Sequence, residues 1–266
     1  MLINIVTLFP QEVKNFMNSG VVGRAINADL AQLAVYNPRN YTEDFHQTVD
    51  DRPYGGGDGM ILLAEPLART IEDIELQSTL GDIYYLSPQG KTWNDVMAEK
   101  WAQQNIAKTL ICGRYGGVAE RFLQFYNIQE ISIGDFVLSG GEIAAMAVVD
   151  SVLRKLPGVL GNSQSALEDS FSGEGLLEAS QFSRPQEWKG LKVPSVLLTG
   201  NHQKILAARK VVALIKTALK RPDLVNTIDQ QIDLQQAINS AISWGDEELS
   251  HWRIDRNQLI KLRENS

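Results

Sequence analysis

The sequence has one cysteine, Cys112, and only three histidines, His46, His202 and His251. A single thiol excludes an intrachain disulfide and fits a reducing compartment. Histidines this far apart, with one cysteine in the chain, give no zinc-ligand spacing. No apolar run approaches the ~20 residues that span a bilayer, and no basic stretch leads into an apolar one with a cleavage site at the N-terminus. The reading is a cytoplasmic protein without membrane contact.

Positive charge is also in the minority. Lys and Arg number 25 against 32 Asp and Glu, a formal net charge of −7. Nucleic-acid binders ordinarily carry a basic excess, so the total argues against such a partner, although a local patch would serve. Two phosphate signatures are missing as well. No Lys-Ser/Thr pair follows the glycines of Tyr54–Met60, as a P-loop requires. The first apolar run ends in Phe9-Pro10 with no glycine before Gly20, where a dinucleotide fingerprint needs its turn. Nucleoside triphosphates and NAD are therefore poor candidates.

Glycine beside short apolar runs is what the chain does have. The loops read Tyr54-Gly-Gly-Gly-Asp-Gly-Met60, Leu86-Ser-Pro-Gln-Gly90, Cys112-Gly-Arg-Tyr-Gly-Gly117 and Ser132-Ile-Gly-Asp-Phe-Val-Leu-Ser-Gly-Gly-Glu142. Such loops let main-chain groups approach a ligand closely. Apolar runs at Leu2–Phe9, Leu33–Tyr36, Asp82–Ser87, Lys108–Gly113 and Glu130–Ile133 predict strands. Helical spacing covers Gln11–Ala31 (broken near Ser19-Gly20), Leu67–Leu80, Thr92–Gln104, Ala119–Tyr126 and Glu142–Leu156. Tyr41–Met60 reads as a long functional loop. Alternating strands and helices predict an α/β domain over 1–157 with a covered parallel sheet, and ligands on such sheets lie beyond the C-terminal strand ends. The glycine loops after Ser87, Ile111 and Ile133 share that edge. Segment 158–174 reads as an interdomain linker. Residues 175–266 read as a smaller, mostly helical domain, with a short apolar run at Val196–Thr199 and helices over Gln203–Lys220, Ile228–Ile242 and Glu247–Glu264.

Further segments complete a recognisable order: Leu8-Phe-Pro10, Gly23-Arg-Ala25, Thr48-Val-Asp-Asp-Arg-Pro-Tyr54, Leu156-Pro-Gly-Val-Leu160, Glu168-Asp-Ser-Phe171, Arg184-Pro185, Gly200-Asn-His202 and Arg221-Pro222. With the glycine loops they run in sequence over roughly the first 225 residues, and the chain resembles the bacterial tRNA (guanine-N1)-methyltransferases of the SPOUT class, the TrmD family. A long ordered set is more specific than any single motif. The stretch after about Asn226 matches no family segment. The resemblance implies a parallel sheet with a deep trefoil knot, a homodimer, and S-adenosylmethionine held bent by the knot loops. Its cofactor residues would be Tyr85, Leu86, Ser87, Pro88, Gln89, Gly90, Gly113, Arg114, Tyr115, Gly117, Ser132, Ile133, Gly134, Phe136, Leu138, Gly140 and Gly141. The substrate, guanine at tRNA position 37, would meet Asp50, Arg52, Tyr54, Gly55, Gly59, Ser170, Arg184, Asn201 and His202. Asp50 and Arg52 suit a structural ion-pair network equally well.

The resemblance casts Asp169 as the base that takes the N1 proton of guanine, donated by the neighbouring protomer, and a carboxylate within hydrogen-bond reach can do this. A helix N-cap is the competing reading of an Asp before Ser-Phe. Arg154 would hold the guanine O6 and offset charge as N1 loses its proton; its competing reading is a solvated residue near a helix end. Family activity is linked to magnesium, for which the sequence shows no clear ligand set.

Departures gather on the substrate side. The family's two acids after Arg114-Tyr115 are Gly116 and Ala119 here, although Glu120 and Arg121 remain. The proline of the first glycine loop is Asp58. A family tyrosine is Phe182, within Ala179-Ser-Gln-Phe-Ser-Arg-Pro185, and a basic run is thinned to Leu206-Ala-Ala-Arg209. Each lost cation weakens phosphate attraction, although Lys210, Lys216, Lys220 and Arg221 remain as a candidate basic face. Two alternatives stay open: a SPOUT paralogue with another acceptor, such as a small heteroaromatic nitrogen or another RNA, and a non-catalytic cofactor or RNA binder.

Overall fold

The computed structural model describes residues 1–56, 59–161, 169–225 and 228–264. The chain forms two compact units, Met1–Ala166 and Leu167–Ser266. The first is α/β. Its sheet takes β1 (Leu2–Val6), β2 (Gln32–Tyr36), β5 (Asp82–Thr92), β6 (Lys108–Cys112) and β7 (Gln129–Ser132) in the order β2-β1-β6-β5-β7. Every pairing is parallel.

Strand alternation explains how both faces are covered. Ile3, Ile5, Tyr84, Leu86, Leu110 and Cys112 face one apolar cluster, which takes in Val148, Val149 and Val152 of helix α6 (Glu142–Leu153) and Ala98 and Trp101 of α4 (Asp95–Gln104). Val6, Tyr85 and Ile111 face the other, shared with α3 (Ala64–Gln77) and α5 (Glu120–Phe125). The helices α1 (Pro10–Met17) and α2 (Gly20–Asn27) break at Ser19, where the sequence predicts it.

Three differences from the sequence reading bear on the site. The 41–60 stretch is not wholly loop. It contributes the two-residue strand β3 (Asp50–Asp51), which pairs antiparallel with β4 (Ile61–Leu62) just beyond it. Elements this short leave no periodicity to read. Second, β5 does not stop at Ser87. Ile131 pairs with both Leu86 and Lys91, so Ser87–Gly90 bulges out and the strand resumes to Thr92. Third, the helix expected over Glu247–Glu264 is two, α9 (Asp246–His251) and α10 (Arg256–Glu264). Arg253 takes φ +57 between them, and the Asp255 carboxylate accepts the Gln258 N–H to start the second.

In the second unit the strands β8 (Glu187–Trp188) and β9 (Leu191–Lys192) join through Lys189 and Gly190, both at positive φ as a tight hairpin requires. The helices α7 (His202–Lys220) and α8 (Ile228–Ile242) pack with α9 and α10 around Val212, Ile215, Ile238, Leu249, Trp252 and Leu259. Of the segment 158–174, Val159 is buried in the core of the first unit, and 162–168 lie outside the described residues, as does Asp58.

Candidate functional site

A cleft of about 470 Å³ opens at the bulge of β5 and the C-terminal ends of β6 and β7, a size ordinary for small-molecule sites. Every residue assigned to the cofactor lines it except Gly90. Gly90 instead packs on β7, where a Cβ would lie 2.3 Å from the Ile131 nitrogen. Its glycine serves the bulge, which only the strand register could reveal.

The glycines of the cleft walls let the chain pack closely on itself. A Cβ on Gly113 would meet the Tyr85 ring at 2.7 Å, and one on Gly140 would meet Arg114 Nε at 2.3 Å. The Gly141 N–H donates to the Gly113 carbonyl at 2.9 Å, which joins the loop after β6 to the loop after β7. Ser87 and Ser132 hold their own loops: Ser87 Oγ accepts the Gln89 N–H at 3.1 Å and Ser132 Oγ accepts the Gly134 N–H at 3.2 Å.

A buried ion pair supports this wall. Arg114 Nη2 lies 3.0 Å from Glu142 Oε2, and the Glu142 side chain is 2 % exposed. Thr7 Oγ1 donates to Glu142 Oε1 at 2.7 Å, and the Arg114 guanidinium stacks 4.0 Å from the Phe9 ring. Beside them burial pushes the Cys112 thiol well up, helped by the Glu142 charge. Burial, then the Glu130 charge, raises the Tyr85 hydroxyl.

Glu120, noted in the sequence only as a retained residue beside the loop, and Glu130, which sequence reasoning missed, supply the carboxylates of the lining. Glu130 was findable only through register, being the β7 partner of Tyr85. Gly116 also lines the cleft, and its N–H donates to the Met60 carbonyl at 2.7 Å.

The substrate candidates divide between the units. Asp50 lies in β3, with Arg52, Tyr54, Gly55 and Gly59 in the connection to β4. That connection ends against the cleft loop, since Leu62 N–H donates to the Gly117 carbonyl at 2.9 Å. Tyr54 is 97 % exposed. Arg154 ends α6, half-buried, its N–H bonded to the Asp150 carbonyl at 3.1 Å. In the second unit Asp169 opens a compact loop closed by Phe171 N–H to Leu176 O at 2.7 Å, and no helix follows it to cap. Ser170 Oγ accepts the Glu178 N–H, and Asn201 caps α7 through the Lys204 N–H, with His202 exposed beside it. Arg184 is exposed before Pro185. Phe182 packs edge-on against Trp252 at 5.4 Å. Among the described residues no group of three or more His, Cys, Asp or Glu could hold a metal ion.

A family model described as tRNA (Guanine-1)-methyltransferase TrmD matches residues 1–227. The chain is 45 % identical over 244 residues to a tRNA (guanine-N(1)-)-methyltransferase of Actinobacillus succinogenes, covering 90 % of this chain and 99 % of that one. It is 45 % identical over 231 residues to the protein of that name from Blochmanniella pennsylvanica, covering 86 % and 89 % of the two chains. It is also 45 % identical over 240 residues to the one from Shewanella woodyi, covering 88 % and 95 %.

Proposed function

The chain belongs to the TrmD family of tRNA (guanine-N1)-methyltransferases and is an enzyme, and from this premise we propose that it methylates N1 of guanine 37 in tRNA with S-adenosylmethionine. The observation that carries the reading is the cleft at the bulge of β5 and the C-terminal ends of β6 and β7, walled by glycine loops packed so closely that a Cβ at Gly113, Gly140 or Gly141 would strike the chain itself. Its carboxylates, Glu120 and Glu130, suit a cationic ligand. Its guanidinium, Arg114, is already engaged by Glu142.

S-adenosylmethionine, when bound, supplies an electrophilic methyl group. The loops at Leu86–Gln89, Gly113–Gly117 and Ser132–Gly141 would hold it, bent, in a knotted chain. The protein's own work is to prepare the nucleophile. N1 of guanine carries a proton near neutral pH, and Asp169 would accept it, leaving the N1 lone pair free to act as nucleophile. Arg154 donates to O6 and offsets the charge that develops there. The two residues would come from different protomers of a homodimer. The first unit would bind the methyl donor and the second the tRNA, in the cytoplasm.

The test uses tRNA transcripts that differ only at guanine 37. Methylation of the guanine form alone is expected, and Asp169→Ala should abolish it while calorimetric binding of S-adenosylmethionine persists. Retained binding with no transcript methylated would favour a paralogue with another acceptor, as the replacement of the family's acids by Gly116 and Ala119 would then suggest.

A further inference from the structure

The loop that opens at Asp169 lacks regular structure yet is pinned to the second unit at several points. The Ser172 N–H donates to the Asp169 carbonyl at 3.2 Å, and Phe171, at φ +72, donates to the Leu176 carbonyl. Leu176 is buried in the core of that unit. The neighbouring Leu177 N–H donates to Thr217 Oγ1 at 3.0 Å. Thr217 is wholly buried on α7, and its own hydroxyl donates to the Ala213 carbonyl at 2.7 Å.

A second set of contacts starts from Glu174, farther round the loop. Lys210 of α7 sits between two carboxylates, 3.2 Å from Glu174 and 3.1 Å from Asp233 of α8. The side-chain amide of Gln230, also on α8, donates to the Glu174 carbonyl at 2.8 Å. A lone exposed ion pair contributes little, but one lysine shared by two acids and backed by a hydrogen bond to the main chain forms a network. Hydrogen bonds to Asp233 and then Glu174 push the Lys210 ammonium up. Its charge is spent inside the unit, so it has little to offer a phosphate, although the sequence sets it on the candidate basic face.

We propose that Lys210, braced from α8 by Asp233, is a positioning residue that holds the loop of Asp169 in its working place. A carboxylate that must meet one ring nitrogen tolerates little displacement, and a shift of about 1 Å can cost about a hundredfold in rate. Gln230 and Asp233 lie beyond residue 227, so the brace comes from outside the segment that the family model matches. The proposal rests on the reading of Asp169 as the base.

The test uses the full chain with Glu174→Gln, Asp233→Asn, Lys210→Met and Lys210→Arg, and transcripts carrying guanine 37. Removing an acid cannot remove an attraction for RNA, so a slower enzyme whose KM for tRNA does not rise has lost alignment rather than a phosphate contact. Each acid variant is expected to lose about tenfold in kcat with KM for tRNA unchanged or lower. Lys210→Met should fall with them and Lys210→Arg should recover most of the rate. The urea midpoint and S-adenosylmethionine calorimetry should match the parent, because the bridge is half-exposed and lies in the second unit. Amide hydrogen exchange at Phe171 and Leu177 should quicken in the two acid variants. Unchanged exchange in both, or an unchanged kcat in both, overturns the proposal. A parent that methylates no transcript, with exchange quickened as expected, would uphold the brace and sink the reaction. Methylation with exchange unmoved would do the reverse.

Discussion

Arg114 and Glu142 lie 28 residues apart in sequence and 3.0 Å apart in space, joining the loop after β6 to the first residue of α6. Removing one partner of such a pair leaves a charge with little water to replace it. Glu142→Ala should therefore cost about 3–5 kcal/mol, read as a shifted urea midpoint. Glu142→Gln should cost less, because Thr7 keeps an acceptor. A loss below about 1 kcal/mol in Glu142→Ala would show that the pair contributes little.

Gly140 has no room for a methyl group, because its Cβ would sit 2.3 Å from Arg114 Nε, in a side chain already pinned by Glu142. Gly140→Ala is expected to destabilise the protein by about 1–3 kcal/mol and to weaken S-adenosylmethionine at least tenfold in calorimetry. Gly161→Ala, which meets nothing within 4 Å, should stay within about 0.5 kcal/mol of the parent. Equal behaviour of the two variants would refute a steric role for the cleft glycines.

Cys112 gives a pH dependence whose sign follows from its raised thiol. The unfolded thiol ionises near pH 8.5, whereas the folded one stays neutral. Above that pH the unfolded state binds fewer protons, so stability is whole below about 8.5 and falls as pH rises. Between pH 8.5 and 9.5 the parent should lose about 1 kcal/mol relative to Cys112→Ala. Denaturant melts at both pH values measure this, and parallel curves would contradict it. The folded thiol should also resist a disulfide reagent at pH 8.

Lys108 is wholly buried, paired with Asp82 at 2.5 Å and placed 5.2 Å from the Trp101 ring centre. Asp82→Ala strands that ammonium and should cost about 3 kcal/mol, the low end for buried pairs, since Asp82 is itself half-exposed. Lys108→Met keeps the volume and removes the charge, so it should be near neutral. Thermal melts of the two variants separate the cost of an orphaned charge from the worth of the pair.

Much of the architecture was readable because local rules act over short distances. The strands through Ile3, Leu110 and Ile131 and the helix over Glu142–Leu153 announce themselves by apolar runs and spacing. The glycine loops announced the cleft because only one residue type presents bare backbone. Gly90 packs on β7 rather than lining the cleft, and a glycine needed for strand packing looks like one needed for a ligand in sequence. Glu130 went unnoticed because its relation to Tyr85 is cross-strand and leaves no local mark. The break after α9 was hidden because Arg253 at positive φ has no sequence signature.

By itself the order of residues determined an α/β first half, a helical second half and the three loops that ligands would meet, since periodicity and glycine content are properties of neighbouring residues. Only tertiary structure decided that Arg114 is held by Glu142 and that Glu120 and Glu130 line the cleft. Those facts depend on which strands and helices become neighbours, and the pairing energy that selects them is summed over the whole core rather than written in any one segment.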